Sequence, residues 1–524
     1  MIASSVAGEL ADPFGPDSSA PHALRTPSMS TLTNAVKPSI TATGAVQTQG
    51  QQLRHSPAVR AAVDAIVSEV RAKSAPINAV RGPLSPELKL SADDFMKRAG
   101  TVRGRDLLFP FIGSGAGNGP FVELMDGSVK IDLITAIGVN FFGHSHPELV
   151  RAAAEASIGN VVMQGHLLMN EQPCLLSETI LAEARKRSSM AHVFLCNSGV
   201  MANENALKIC YQKHAPASRV LAFKDCFMGR TITMSQIGDS AANRVGIPLS
   251  TLIDYMPFYD PAAARRMSAG DVSGQTRFID MAVSHLRQYI ERYPGQHACF
   301  IFELVQGEGG FNTAPAEFHR ELMHVCKSAN IAVWDDEVQS FGRTTQMFAF
   351  DALNLGDLVD VVCIGKMTQV CAVLYKAEYN PKPGLLSQTF LASNDALHAG
   401  QRVIEMLRDS DLYGDSGRIA RHHKAFADQV RALAAKHPAW FPMTNPHVAD
   451  IVGGTGGMMR FTPFAGKKEP VMKLVKLMFE EGVIGFYAGH DPYHIRLLPP
   501  IPAMEESLWP TVFQIIERAM ARVS

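Results

Sequence analysis

The sequence predicts an α/β protein, with a mostly parallel central sheet in a large domain followed by a smaller domain of mixed strands and helices. Two observations carry this. Short, almost continuously apolar runs, such as Ile331-Ala-Val-Trp-Asp-Asp-Glu-Val-Gln339 and Val361-Val-Cys-Ile-Gly-Lys366, are separated by helical stretches, which is the pattern of strands buried on both faces. Each run also finishes in functional groups, Asp336 and Gln339 after the first and Lys366 after the second. In open parallel sheets ligands sit beyond the carboxyl ends of the strands. An acid, an amide and an amine are therefore expected at one sheet edge.

Composition narrows the function classes. A chain of 524 residues has room for about two or three structural domains. The 49 basic and 50 acidic residues leave a net charge of -1, which points away from nucleic acid or an anionic membrane as partner. The eight cysteines show no Cys-x-x-Cys spacing and lie scattered in apolar segments such as Val361-Val-Cys363. They read as reduced core residues of a cytoplasmic protein, not as a disulfide frame or a zinc site. No apolar run reaches membrane-spanning length, and no basic region followed by an apolar stretch marks a secretory signal.

Taken in order, residues 1–54 are rich in Ser, Thr, Ala, Pro and Gly and are expected to be a disordered extension. Residues 55–164 supply a helix and a small-domain segment. Ser56-Pro57 reads as a helix start, with Val59, Val63, Ile66, Val67 and Val70 following at helical spacing. Gly113-Ser-Gly-Ala-Gly-Asn-Gly119 reads as a flexible loop rather than a dinucleotide fingerprint, because no convincing strand precedes it and no helix follows. Phe121 to Asp132 reads as two strands around an Asp126-Gly127 turn. Gly143-His144-Ser-His146-Pro147 has no Cys or carboxylate at ligand spacing, so no metal site is expected. The large domain is expected over residues 165–394. In it, Val193-Phe-Leu-Cys-Asn-Ser-Gly199 is a strand ending in a turn, and Ala202 to Lys208 opens a helix. A glycine turn feeding a helix N-terminus can hold an anion, because free amides and the helix dipole converge there. Arg230 is a guanidinium suited to a two-pronged grip on a carboxylate. Residues 240–290 read as helix and loop with no nameable chemistry. Cys299 to Gly310 is a strand running into a glycine loop. From about residue 395, Val403, Met406 and Leu407 at helical spacing begin the C-terminal small domain, residues 395–524.

Asp336-Glu-Val-Gln339 with Gly365-Lys366 downstream resembles the class III aminotransferases, fold type I enzymes that use pyridoxal 5'-phosphate, and the resemblance runs from about Gly119 to the C-terminus. It implies a small α+β domain drawn from both chain ends, and a Schiff base between the cofactor and Lys366. It also implies Asp336 at the pyridine nitrogen and Gln339 at the ring hydroxyl. A carboxylate at that nitrogen keeps it protonated and makes the ring a better electron sink, and a desolvated lysine is a better nucleophile. The resemblance further puts the phosphate on Gly199 and Val200 and stacks Phe227 on the ring. Met228 stands where many members have histidine. Gly143-His-x-His-Pro147 becomes a structural turn. Glu303-Leu-Val-Gln-Gly-Glu308-Gly-Gly310 is similar to a family motif, with Leu304 in place of proline. Glu308 is implied to pair with Arg496 of His494-Ile-Arg496 as a gate that opens for the α-carboxylate of 2-oxoglutarate. Thr389 of Leu386-Ser-Gln-Thr389-Phe390 is implied to reach the partner's phosphate in a homodimer with shared active sites.

Within the family, Glu204-Asn-Ala-Leu-Lys208 and Lys366-Met-Thr-Gln-Val-Cys371 are similar to L-lysine ε-aminotransferase, and the first also to GABA aminotransferase. Ser387-Gln-Thr-Phe390 departs from the lysine enzyme's Asn-Ser-Thr-Trp. The expected reaction is transfer of the terminal amino group of an ω-amino acid, lysine foremost, to 2-oxoglutarate, with Arg230 holding the far carboxylate. Acetylornithine, ornithine or GABA as donor, an aminomutase on the same scaffold, or a non-catalytic interaction protein keeping the fold, are the alternatives; the joint presence of Lys366, Asp336 and Gln339 argues against the last.

Overall fold

The computed structural model describes residues 47–107, 109, 111–268 and 270–523. The expected disordered extension lies outside the described residues up to position 46, and within its last part Gln49–Arg54 is a short helix. From Leu53 onward the chain packs as one unit.

Seven strands make the central sheet: β1 (Met190–Cys196), β2 (Arg219–Phe223), β3 (Leu252–Met256), β4 (His297–Phe302), β5 (Ala332–Glu337), β6 (Val361–Ile364) and β7 (Cys371–Lys376). Their spatial order is β1-β7-β6-β5-β4-β2-β3. Only β7 runs antiparallel to its neighbours, and the pairings among β2 to β6 are parallel. The apolar runs predicted this, and their alternation has a physical destination. Phe300, Val333, Val362 and Leu374 enter one core cluster. Their chain neighbours Ile301, Trp334, Cys363 and Val373 enter a second one on the opposite face.

The edge strand β3 falls within the stretch read as helix and loop. Its core is short and interrupted by Asp254, which hides the strand pattern. Asp254 is held instead by its neighbours: Arg219 on β2 donates to both its oxygens at 2.7 and 2.8 Å, and His297 on β4 lies 2.8 Å away.

The chain ends combine as expected for a small α+β portion. Gly113–Asn118, Phe121–Leu124 and Val129–Asp132 form an antiparallel meander, and Val483–Ile484 from the C-terminal half joins its edge in parallel. The flexible loop expected at Gly113–Gly119 is therefore corrected to a strand through Asn118. The reason is close packing. A Cβ at Gly117 would lie 2.5 Å from the Cβ of His144 and 2.7 Å from the carbonyl of Phe121, so glycine admits two backbones where a side chain would not fit. His144 in turn bonds Asp132 at 2.9 Å, which ties the histidine turn to the meander. The helix Pro57–Ser74 forms where expected, although Ser56 makes no side-chain capping bond. A second antiparallel sheet, Val452–Thr455, Met458–Phe461, His494–Leu497 and Phe486–Ala488, carries Arg496.

Candidate active site

Three parallel strands deliver the chemistry. At the end of β5, Asp336 is 6% exposed. Its Oδ2 accepts from Nδ2 of Asn203 at 2.7 Å and its Oδ1 from the amide of Val338 at 2.9 Å. Burial raises its pKa against the pull of those two donors and of Lys366. Gln339 follows, buried, and its Oε1 has no protein partner. After β6, Lys366 adopts a positive φ of 53°, a conformation that is unfavourable by about 1–2 kcal/mol for an L-residue and here aims the amine into the cleft. Burial draws its pKa down to about 8; Glu308, Glu303 and Asp336 oppose this and Arg496 assists it. At the end of β4, Glu303 accepts from the amides of Phe227 at 3.1 Å and Gly307 at 2.8 Å. Burial first and the charge of Asp336 second push its pKa up to about 8.

Glu308 and Arg496, 188 residues apart, meet as a bidentate pair at 2.7 and 3.1 Å. The arginine side chain is 0% exposed and the glutamate 36%. Burial works against the charge of Glu308, but Arg496 beside it brings its pKa below the ordinary value. The guanidinium lies 5.2 Å from the ring of Phe486 and 5.8 Å from that of Phe311.

The helix Gly199–Lys213 starts beyond β1 with Ser198 as its cap. A Cβ on Gly199 would fall 2.8 Å from Val338, and one on Gly229 2.4 Å from Val200. The helix start is thereby pressed against the loop after β5, with the first amides of the helix free of intrahelical bonds. Phe227 is half-buried, with the Arg230 guanidinium 5.6 Å from its ring. Arg230 itself is exposed and donates to Asn243 at 2.8 Å. Thr389 is also exposed, with its carbonyl against Gly165.

The expected residues thus divide. Asp336, Gln339, Lys366, Glu308, Arg496, Gly199, Val200 and Phe227 converge, whereas Arg230 stands at the rim and Thr389 outside it. Two participants had no assigned role. Asn203 lies four residues after Gly199, on the same helix face, a spacing that could have found it. It also donates to the carbonyl of Met228 at 2.9 Å, so one amide joins Asp336 to the Phe227 loop. Glu303 was visible only as part of a motif, and its carboxylate ties the same loop to the glycine loop.

The class-III aminotransferase profile matches residues 106–520, and the chain belongs to that family. Among curated relatives, acetylornithine aminotransferase of Bacillus subtilis (strain 168) is 27% identical over 397 residues, covering 74% of this chain and 90% of the relative. The Corynebacterium efficiens enzyme of the same name is 28% identical over 423 residues, covering 78% and 91%. Lysine aminotransferase from M. tuberculosis has the same fold, with a TM-score of 0.71 at 21% identity, covering 82% of this chain and 100% of that one. The fold is therefore the type I aminotransferase fold, and the protein is a pyridoxal phosphate enzyme.

The residues present fit that cofactor. Asp336 is a buried carboxylate with no ion-pair partner among the described residues, which suits a protonated ring nitrogen. Gln339 Oε1 is a buried, orphaned acceptor, which suits a ring hydroxyl. The amides at Gly199 and Val200 suit a phosphate, and Lys366 supplies the amine.

Proposed function

We propose that the enzyme moves the terminal amino group of an ω-amino acid, lysine foremost, to 2-oxoglutarate, giving a semialdehyde and glutamate. The observation that carries this reading is the Glu308–Arg496 pair: a fully buried cation neutralised by a carboxylate that remains one-third exposed. While Glu308 covers it, Arg496 attracts no carboxylate, so a donor enters with its distal amine towards Lys366. When Glu308 swings away, Arg496 grips the α-carboxylate of the oxo acid in two-pronged fashion. One cleft thus accepts two substrates of different charge pattern in a ping-pong order.

Bound at Lys366, pyridoxal phosphate supplies the electron sink for breaking the bond to hydrogen at the amine-bearing carbon. Lys366, with a pKa drawn down to about 8, has a neutral fraction near pH 7 and takes and returns that proton. Asp336, oriented by Asn203 and the Val338 amide, would hold a proton at the ring nitrogen. Phe227 would lie against the ring, and Glu303 fixes the backbone of Phe227 and Gly307 so that neither loop drifts. Arg230, at the rim, takes the donor's far carboxylate. Thr389 completes the phosphate site of a second copy. In support, Leu167, Leu168, Met169 and Phe390 form an exposed apolar neighbourhood around the paired segments Met163–Gln164 and Ala392–Ser393, and a second copy would cover it.

A second reading, acetylornithine as donor, is favoured by the names of the curated relatives. Glutamate formation from 2-oxoglutarate with lysine, acetylornithine, ornithine and GABA tests both. The highest kcat/KM with lysine supports the first reading, and a higher value with acetylornithine supports the second. Isomerisation of a donor without 2-oxoglutarate would indicate an aminomutase. No glutamate from any donor would sink the transaminase reading.

A further inference from the structure

Away from the cleft lies a cavity of about 530 Å³, between the helix Pro86–Arg103, the meander strands Phe121–Leu124 and Val129–Asp132, and the helix Lys468–Glu481. None of the active-site residues lines it. Its size is that of a small-molecule site, and its walls are apolar, with Met96, Phe109, Ile112, Leu124 and Phe479 the chief contributors. Phe109 and Phe479 stack with ring centroids 5.9 Å apart.

In this apolar setting stands Lys130, only 9% exposed. Its Nζ lies 5.3 Å from the Phe479 ring centroid and, among the described residues, reaches one protein acceptor, the carbonyl of Glu480 at 3.4 Å. Among the described residues no carboxylate comes within ion-pair distance of it, although Asp126, Glu480 and Glu481 act on it from further away. The acids lining the cavity are engaged elsewhere: Asp126 accepts from the amide and hydroxyl of Ser128 at 2.9 and 2.6 Å, and Glu480 pairs with Arg522 at 2.6 Å. Of the other lysines lining the cavity, Lys89 is paired with Asp93, and Lys476 makes no ion pair among the described residues. A buried ammonium without a counter-charge is expensive. Packing alone would be served better by Met or Leu at this position. Burial accordingly lowers the pKa of Lys130, with Asp126, Glu480 and Glu481 opposing from a distance. The missing partner is an anion, and the apolar walls specify what is attached to it.

We propose that this cavity binds a free single-chain aliphatic monocarboxylate, its head on Lys130 and Lys476 and its chain among Met96, Phe109, Leu124 and Phe479. The polar end and the apolar body are both required: a dicarboxylate would bury its second charge against phenylalanine, and an alkylamine would set like charge beside Lys130.

The test is calorimetric titration of the full-length holoenzyme with decanoate, decanol, decylamine and glutarate. The expected result is saturable binding of one decanoate per chain, weaker binding of decanol, and none of decylamine or glutarate. Lys130→Met weakens decanoate by about tenfold or more, as the loss of a charge-assisted contact requires, and Lys130→Arg restores part of it. Met96→Trp, at a half-buried position on the cavity wall, fills the space and abolishes binding while leaving amine transfer unchanged. It remains informative if Lys130→Met fails to fold. Absence of decanoate binding, equal binding of decanoate and decylamine, or full decanoate affinity in Met96→Trp would each overturn the proposal.

Discussion

Arg496→Met isolates the gate. The substitution keeps an unbranched stem of similar volume and removes the cation. In the protein as it stands, the guanidinium makes two charge-assisted bonds to Glu308, at 2.7 and 3.1 Å, from a side chain that is 0% exposed. The oxo acid's carboxylate would inherit both bonds. Breaking one partner from a buried bidentate pair is worth about 3–5 kcal/mol. The low end applies here, because Glu308 is one-third exposed and water can solvate it once it is alone. About 3 kcal/mol corresponds to a fall of roughly a hundredfold in kcat/KM for the 2-oxoglutarate half-reaction. The amine half-reaction should change by less than about tenfold, since Arg496 is masked during it. Single-turnover measurements of each half-reaction, followed through the cofactor's visible absorption, separate the two. Equal losses in both halves, or an undiminished oxo-acid half, would refute the gate.

Four further outcomes follow from the same geometry. Lys366→Ala should retain the fold yet lose both amine transfer and the pyridoxyl label left by borohydride reduction; a variant still transferring amino groups at near wild-type rates would contradict the assignment. Asn203→Ala leaves Asp336 one donor short in a buried site, so thermal stability should drop by about 1–3 kcal/mol and pyridoxal phosphate should dissociate faster; an unchanged cofactor off-rate would show that Asn203 does not orient the acid. Capture of pyridoxal phosphate by cofactor-free protein should quicken as pH rises through about 8, where Lys366 loses its proton. Glu303 runs the opposite way for stability. Its folded pKa of about 8 lies above the ordinary 4.5, so the folded state binds the extra proton between those values and stability declines as pH rises across them. Glu303→Gln should flatten that slope, as denaturant titrations at several pH values would reveal.

The parallel sheet was legible because its strands are buried on both faces, so their apolar runs are continuous: β5 and β6 announce themselves, and their terminal Asp336 and Lys366 with them. The edge strand β3 was not, because its Asp254 is held by an ion pair with Arg219 and a hydrogen bond with His297 that exist only once three strands are side by side. The glycine strand at Gly113–Asn118 escaped for a related reason: it packs backbone against backbone, and hydrophobic patterning reports side chains.

The site divides along the same line. Sequence alone determined the kinds of groups present and the strand ends that carry them, because local order along the chain is enough to place an acid at 336, an amide at 339 and an amine at 366. Only the tertiary structure put distant groups in contact: Glu308 with Arg496, a pairing the family resemblance had implied, and, with no such hint, Asn203 with Asp336 and Glu303 with the amides of Phe227 and Gly307. It also decided that Lys130 lies buried beside Phe479 with no carboxylate in ion-pair contact among the described residues. Burial and pairing are properties of neighbours in space, and the neighbours that set these charges lie tens to hundreds of residues apart in sequence.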